Sequence, residues 1–101
     1  MTTTKKPASD NVSAASGRIL VVDDELSMRE FLSIALSRAG HEVVTADSGE
    51  QALERLSVEP FDLVITDLRM KETSGLDVLA KVRDSAPDTE VIVITAFATP
   101  E

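Results

Sequence analysis

The chain of 101 residues carries 18 acidic and 10 basic side chains, a net charge of -8. That length allows one small domain, and that charge argues against the phosphate backbone of a nucleic acid as a partner. Hydrophobic residues at 43% suffice for a core, whereas aromatics at 3%, all of them Phe, provide no stacking platform for single strands.

Cysteine is absent, which excludes a disulfide framework and thiolate metal sites. No apolar run nears the roughly 20 residues needed to span a bilayer, and Lys5 and Lys6 lack the apolar stretch of a secretory signal. The expectation is a cytoplasmic protein with no membrane contact and no direct nucleic-acid contact.

Residues 1–17 are rich in Thr, Ser, Ala and Lys, with Val12 as the lone branched aliphatic residue. They cannot bury enough surface to offset their ordering entropy and read as a disordered tail; the folding unit is 18–101. Arg18 to Asp23 reads as a strand. From Leu26 to Ala39 the period turns helical, with Met28, Phe31, Leu32, Ala35, Leu36 and Ala39 on one face and Arg29, Glu30, Ser33, Ser37 and Arg38 largely opposite. Gly40 follows as a left-handed cap.

His41 to Ala46 is a second strand, and lone His41 reads as a surface residue, since no second His or Cys exists to share a metal. Ser48 opens a helix with Gln51 at capping-box spacing; Ala52, Leu53 and Leu56 are its inward residues and Pro60 stops it. Phe61 to Asp67 is the third strand. Ser74 caps a third helix with Asp77 at the third position, Leu76, Leu79 and Val82 or near neighbours turned inward, and Ala86-Pro87 closing it. Glu90 to Thr95 is a fourth strand, and 96–101 trails off as a loop.

This alternation calls for right-handed crossovers and a doubly wound parallel α/β sheet. Two of its apolar runs end on carboxylates: Ile19-Leu20-Val21-Val22 on Asp23-Asp24-Glu25, and Leu63-Val64-Ile65-Thr66 on Asp67. Strands buried on both faces have little reason to end on charge unless it points into the crevice at their carboxyl ends, where such sheets bind ligands. Three or four acidic groups gathered there repel one another unless a cation joins them. A hard divalent ion with oxygen ligands, Mg²⁺ first, is the simplest partner.

Taken together, Arg18 to Glu25, Asp62 to Met70, Gly75-Leu76 and Val91 to Ala96 resemble the receiver domain of bacterial two-component response regulators. The order and spacing match across 18–101. Asp67-Leu68-Arg69-Met70 and Ile94-Thr95-Ala96-Phe97 are most similar to the NtrC-like branch, whose members usually continue into output domains that control transcription.

The resemblance implies a flavodoxin-like (CheY-like) fold of strand order 2-1-3-4, with the family's fifth strand, its Lys and the last helices lacking, so that this reads as a truncated chain. It further implies that Asp67 accepts a phosphoryl group from a histidine kinase. Asp23, Asp24, Asp67 and the backbone carbonyl of Arg69 would hold Mg²⁺. Thr95 would offer a switch hydroxyl, and Leu68 and Ala96 would neighbour the phosphoryl group. Partners are then the kinase and either an output domain or a dimer partner, including a second copy of the chain. Beyond promoting its own phosphorylation and dephosphorylation, no enzymatic activity is implied.

One departure from the family pattern lies at the fourth residue beyond Asp67, which is usually Pro and here is Lys71. Two other classes fit less well. A dinucleotide-binding domain needs Gly-x-Gly-x-x-Gly where Asp23-Asp24-Glu25 stands, and an aspartate-nucleophile phosphatase usually has Asp where Arg69 stands. The alternative is a receiver-like module acting without phosphate, through protein contact or swapped dimerisation. It predicts that Asp67→Asn leaves partner binding intact.

Overall fold

The computed structural model describes residues 17–71 and 73–95. In chain order these form β1 (Arg18–Val22), α1 (Leu26–Arg38), β2 (Glu42–Ala46), α2 (Gly49–Val58), β3 (Leu63–Asp67), α3 (Gly75–Ser85) and β4 (Glu90–Ile94). All pairings are parallel and the sheet order is β2-β1-β3-β4, as the alternation and the resemblance call for. The expected tail up to residue 16 and the loop 96–101, with Ala96 and Phe97, lie outside the described residues. Gly17, assigned to the tail by composition, is tied into the fold: its N–H donates to His41 Nδ1 at 3.1 Å and its carbonyl accepts from Glu42 N at 2.9 Å.

Alternation along the strands divides the sheet into two faces. Leu20, Val22 and Val64 join Ala46, Ala52, Phe61, Val78 and Val82 in one buried cluster, which places α2 and α3 together on that face. Ile19 and Val21 are also buried and point the other way, where α1 lies across β1 and β2. Strand β1, central and apolar on both faces, is the most completely enclosed element.

The helix ends follow local chemistry. Gly40 takes φ of 99°, with Gly40 N bonded to Ser37 O at 3.0 Å and His41 N to Leu36 O at 3.1 Å, a Schellman motif. Ser48 Oγ accepts from Gln51 N at 3.1 Å, while the Gln51 side chain reaches back to Asp47 N at 2.8 Å, one residue earlier than a capping box requires. Ser74 caps α3 through Leu76 N at 2.9 Å, and Asp77 returns the bond to Ser74 N at 3.2 Å.

Two helix faces differ from the periodicity reading. In α1 the half-buried residues are Met28, Arg29, Leu32, Ser33 and Leu36, whereas Phe31, Ala35 and Ala39 are exposed. The helix is rotated so that Arg29, expected outside, turns toward the end of β1 and donates from Nη1 to Asp23 O at 2.8 Å. In α3, Leu76 is 56% exposed and Val78 is fully buried with Val82. The inward stripe is set by Gly75, which must sit flush against the end of β3, and Val78 and Val82 follow it at helical spacing.

Candidate functional site

Val22 on β1 stands opposite Thr66 on β3, so the next residue on each strand, Asp23 and Asp67, lie level at the carboxyl end of the sheet. Asp24 follows in the β1–α1 turn. One carboxylate oxygen from each of Asp23, Asp24 and Asp67 lies within 4.8 Å of the other two. Asp23 is buried, and Asp24 and Asp67 are half-buried. Glu25, the remaining acidic residue of the run, is exposed and stands outside this cluster.

Each carboxylate is positioned by backbone bonds. Asp23 N continues the β1–β2 ladder by donating to Ala46 O at 3.1 Å, and Asp23 Oδ1 accepts from Glu25 N at 2.9 Å, turning the chain into α1. Beyond Asp67, Leu68 N donates to Ile94 O at 2.7 Å and Gly75 N to Leu68 O at 2.9 Å. Any side chain at Gly75 would collide with the Asp67 carbonyl oxygen, so glycine is what lets α3 start directly beneath the acidic end of β3. Thr66 is wholly buried behind Asp67 and donates to its carbonyl at 3.1 Å.

Burial pushes the Asp23 carboxyl above the ordinary carboxylate range. The Glu25 N–H and the Arg29 guanidinium act against that rise, and the neighbouring charges of Asp67 and Asp24 add to it. Three carboxylates held this close, one of them out of water, form a site in which a cation relieves both the repulsion and the desolvation. The donors are all oxygen, which suits a hard divalent ion.

The other expected site residues lie around this cluster. Arg69 is on the exposed β3–α3 loop and shares a shallow groove with Asp24, Leu68, Met70, Lys71 and Ser74. Ile94 is the register partner of Asp67, so Thr95 falls one residue beyond it at the same end of the sheet. Leu68 is half-buried, and Ala96 lies outside the described residues. Two contacts had no expectation attached: Arg29 on the Asp23 carbonyl, and Lys71, whose backbone N–H donates to Asp24 Oδ2 at 3.1 Å. A basic residue one turn and a half after the paired aspartates was the available signal for Arg29. A backbone donor from another loop leaves no mark in composition.

Known proteins resemble this chain in sequence and in fold. The response regulator receiver domain family matches residues 19–101. The response regulator receiver protein CpdR of Brucella abortus is 42% identical over 81 residues, covering 80% of this chain and 68% of that protein. The alginate biosynthesis transcriptional regulatory protein AlgB of Pseudomonas aeruginosa is 42% identical over 89 residues, covering 88% of this chain but only 20% of that protein. Among solved structures, the response regulator TrrA of Thermotoga maritima, crystallised with Mg²⁺ and BeF, superposes with a TM-score of 0.76 at 43% identity, covering 80% of this chain and 70% of that one. TrrA has also been crystallised in complex with the histidine kinase ThkA. Fold, site and these likenesses agree: the chain belongs to the response regulator receiver domain family and is a signalling domain of two-component systems.

Proposed function

We propose that Asp67 is the phosphoacceptor of this receiver and that Asp23, Asp24, Asp67 and the carbonyl of Arg69 hold Mg²⁺. The observation that carries the reading is the convergence of Asp23, Asp24 and Asp67, with oxygens within 4.8 Å, at the carboxyl ends of two adjacent strands. In the transfer, an Asp67 carboxylate oxygen attacks the phosphorus of a phosphohistidine on a kinase. The new O–P bond forms as the P–N bond breaks, and the electron pair leaves with the imidazole. Bound Mg²⁺ would neutralise charge on the phosphoryl oxygens, which is most of what such a transfer needs.

The residues of this chain do the positioning. The β1–β3 register sets Asp23 level with Asp67, and Gly75 keeps the acceptor's backbone close to the start of α3. Thr95, beside the acceptor's level on β4, would offer its hydroxyl to a phosphoryl oxygen, with Leu68 and Ala96 as neighbours. The added charge would bias a two-state element at this end of the sheet. The partners are a histidine kinase, as in the TrrA–ThkA complex, and an output module. Control of transcription is the output favoured by the likeness to AlgB. Among the described residues no helix is long and apolar enough to cross a membrane.

The test is the intact mass of the protein after incubation with a small phosphodonor, with and without Mg²⁺, beside Asp67→Asn. A single phosphoryl adduct that needs both Mg²⁺ and Asp67 is expected. An adduct on Asp67→Asn, or partner binding indifferent to that substitution and to phosphodonor, would replace the reading with that of a phosphate-independent docking module.

A further inference from the structure

The β3–α3 loop that carries Arg69 past the acidic cluster is fastened at both ends by close packing. Gly75 N–H closes it on Leu68 O at 2.9 Å, and Thr73 sits so tightly on the first turn of α2 that a side chain at Gly49 would collide with it. Between these points Lys71 N–H donates to Asp24 Oδ2 at 3.1 Å, joining residues 47 apart in sequence. This bond ties the loop after β3 to Asp24, a member of the three-carboxylate cluster, in the loop after β1. Proline, the usual residue at this position in the family pattern, has no N–H and cannot make it.

We propose that the Lys71 backbone amide is a positioning group for the metal pocket, holding the Asp24 carboxylate in its ligating orientation before a cation arrives. A carboxylate has about four lone-pair directions, so one oxygen can accept from the amide while the group still faces Asp23 and Asp67. The amide hydrogen also brings partial positive charge to a site where like charges crowd, which favours this placement of the Asp24 carboxylate. The Lys71 side chain is exposed, and the device rests on the backbone, so any residue but proline can supply it.

The inference rests on the Mg²⁺ reading of the site, and two measurements separate them. Amide hydrogen exchange on the metal-free wild-type protein reads the bond itself: the Lys71 amide is expected to be protected, and its protection lost in Asp24→Ala. Calorimetric Mg²⁺ titration of Lys71→Pro beside Lys71→Gln, which keeps the amide and removes the charge, reads the consequence: about five-fold weaker binding by the Pro variant is expected, roughly 1 kcal/mol. A wild-type Lys71 amide that exchanges as fast as an unstructured one overturns the proposal, as do equal affinities in the two variants. A protected amide in a protein that takes up no Mg²⁺ overturns the metal reading and, with it, the positioning role.

Discussion

At the amino end of the sheet Arg18 is surrounded by acceptors, while at the carboxyl end three carboxylates face one another. Arg18 Nη2 meets Glu59 at 2.6 Å and Glu42 at 3.6 Å, its guanidinium lies 5.2 Å from the centre of the Phe61 ring, and its backbone N–H donates to Asp62 at 2.8 Å. Arg55 completes the group by reaching Glu59 at 2.9 Å. Here opposite charges answer each other within the chain. At the other end Asp23, Asp24 and Asp67 converge, and burial with like charge raises the Asp23 carboxyl. The first end pairs most of its charge within the chain, with only Arg18 Nε buried and unpartnered among the described residues, whereas the second gathers like charges that a cation would relieve. Groups whose charge costs stability in the free protein cluster at functional sites, and only the second end carries such a pattern.

Four experiments bear on that contrast. The largest effect is expected from Gly75→Ala, because the added methyl meets the carbonyl of Asp67 and the start of α3 must move. Urea unfolding should show a loss of about 3 kcal/mol, and a neutral result would mean that the acidic end is not rigidly built. Next is the metal itself. At Mg²⁺ near 100 times its dissociation constant, stability should rise by about 2.7 kcal/mol over a chelator-treated sample. That gain should vanish in a protein carrying both Asp24→Asn and Asp67→Asn and persist in full in Arg18→Met, since the cation acts at one end only.

Arg18→Met should itself cost about 1 kcal/mol by thermal unfolding, a modest figure because the ion pairs are partly exposed and screened. A stabilised Arg18→Met would erase the difference between the two ends. The smallest effect is expected from Asp23→Asn, and its sign is opposite. The folded carboxyl titrates above the unfolded one, so the unfolded chain gives up its proton first and wild-type stability falls as pH rises through that window. Metal-free Asp23→Asn should therefore equal wild type below the ordinary carboxylate range near about pH 3.9 and exceed it above the raised value. The order should invert when Mg²⁺ is added, because the cation favours the charged form.

Much of this molecule is legible in single residues. Val21-Val22-Asp23 and Ile65-Thr66-Asp67 announce buried strands that end on charge, and both sit where the sheet brings them together. Gly40, Ser48 and Ser74 mark helix ends by local bonds that hardly depend on the rest of the fold. The periodicity reading fails in part on α1, as it does for Leu76 on α3. A count of apolar residues puts Phe31 inward and Arg29 outward, but Phe31 is 64% exposed and Arg29 bonds the end of β1. The apolar residues of that helix are spread around its circumference, and the half-buried stripe is Met28, Arg29, Leu32, Ser33 and Leu36, with the guanidinium bonded to the Asp23 carbonyl.

The sequence by itself therefore determined element type, element order and which carboxylates end the central strands, because periodicity, caps and chain polarity act over a few residues. Tertiary structure alone decided that Asp23 is buried while Asp24 stays half-open, that α1 presents Arg29 to the site, and that the amide of Lys71 meets Asp24 from 47 residues away. Each of these depends on surfaces that come together only when the sheet closes. Burial, helix rotation and backbone donors belong to the partner surface as much as to the residue, and no local pattern records a partner that distant.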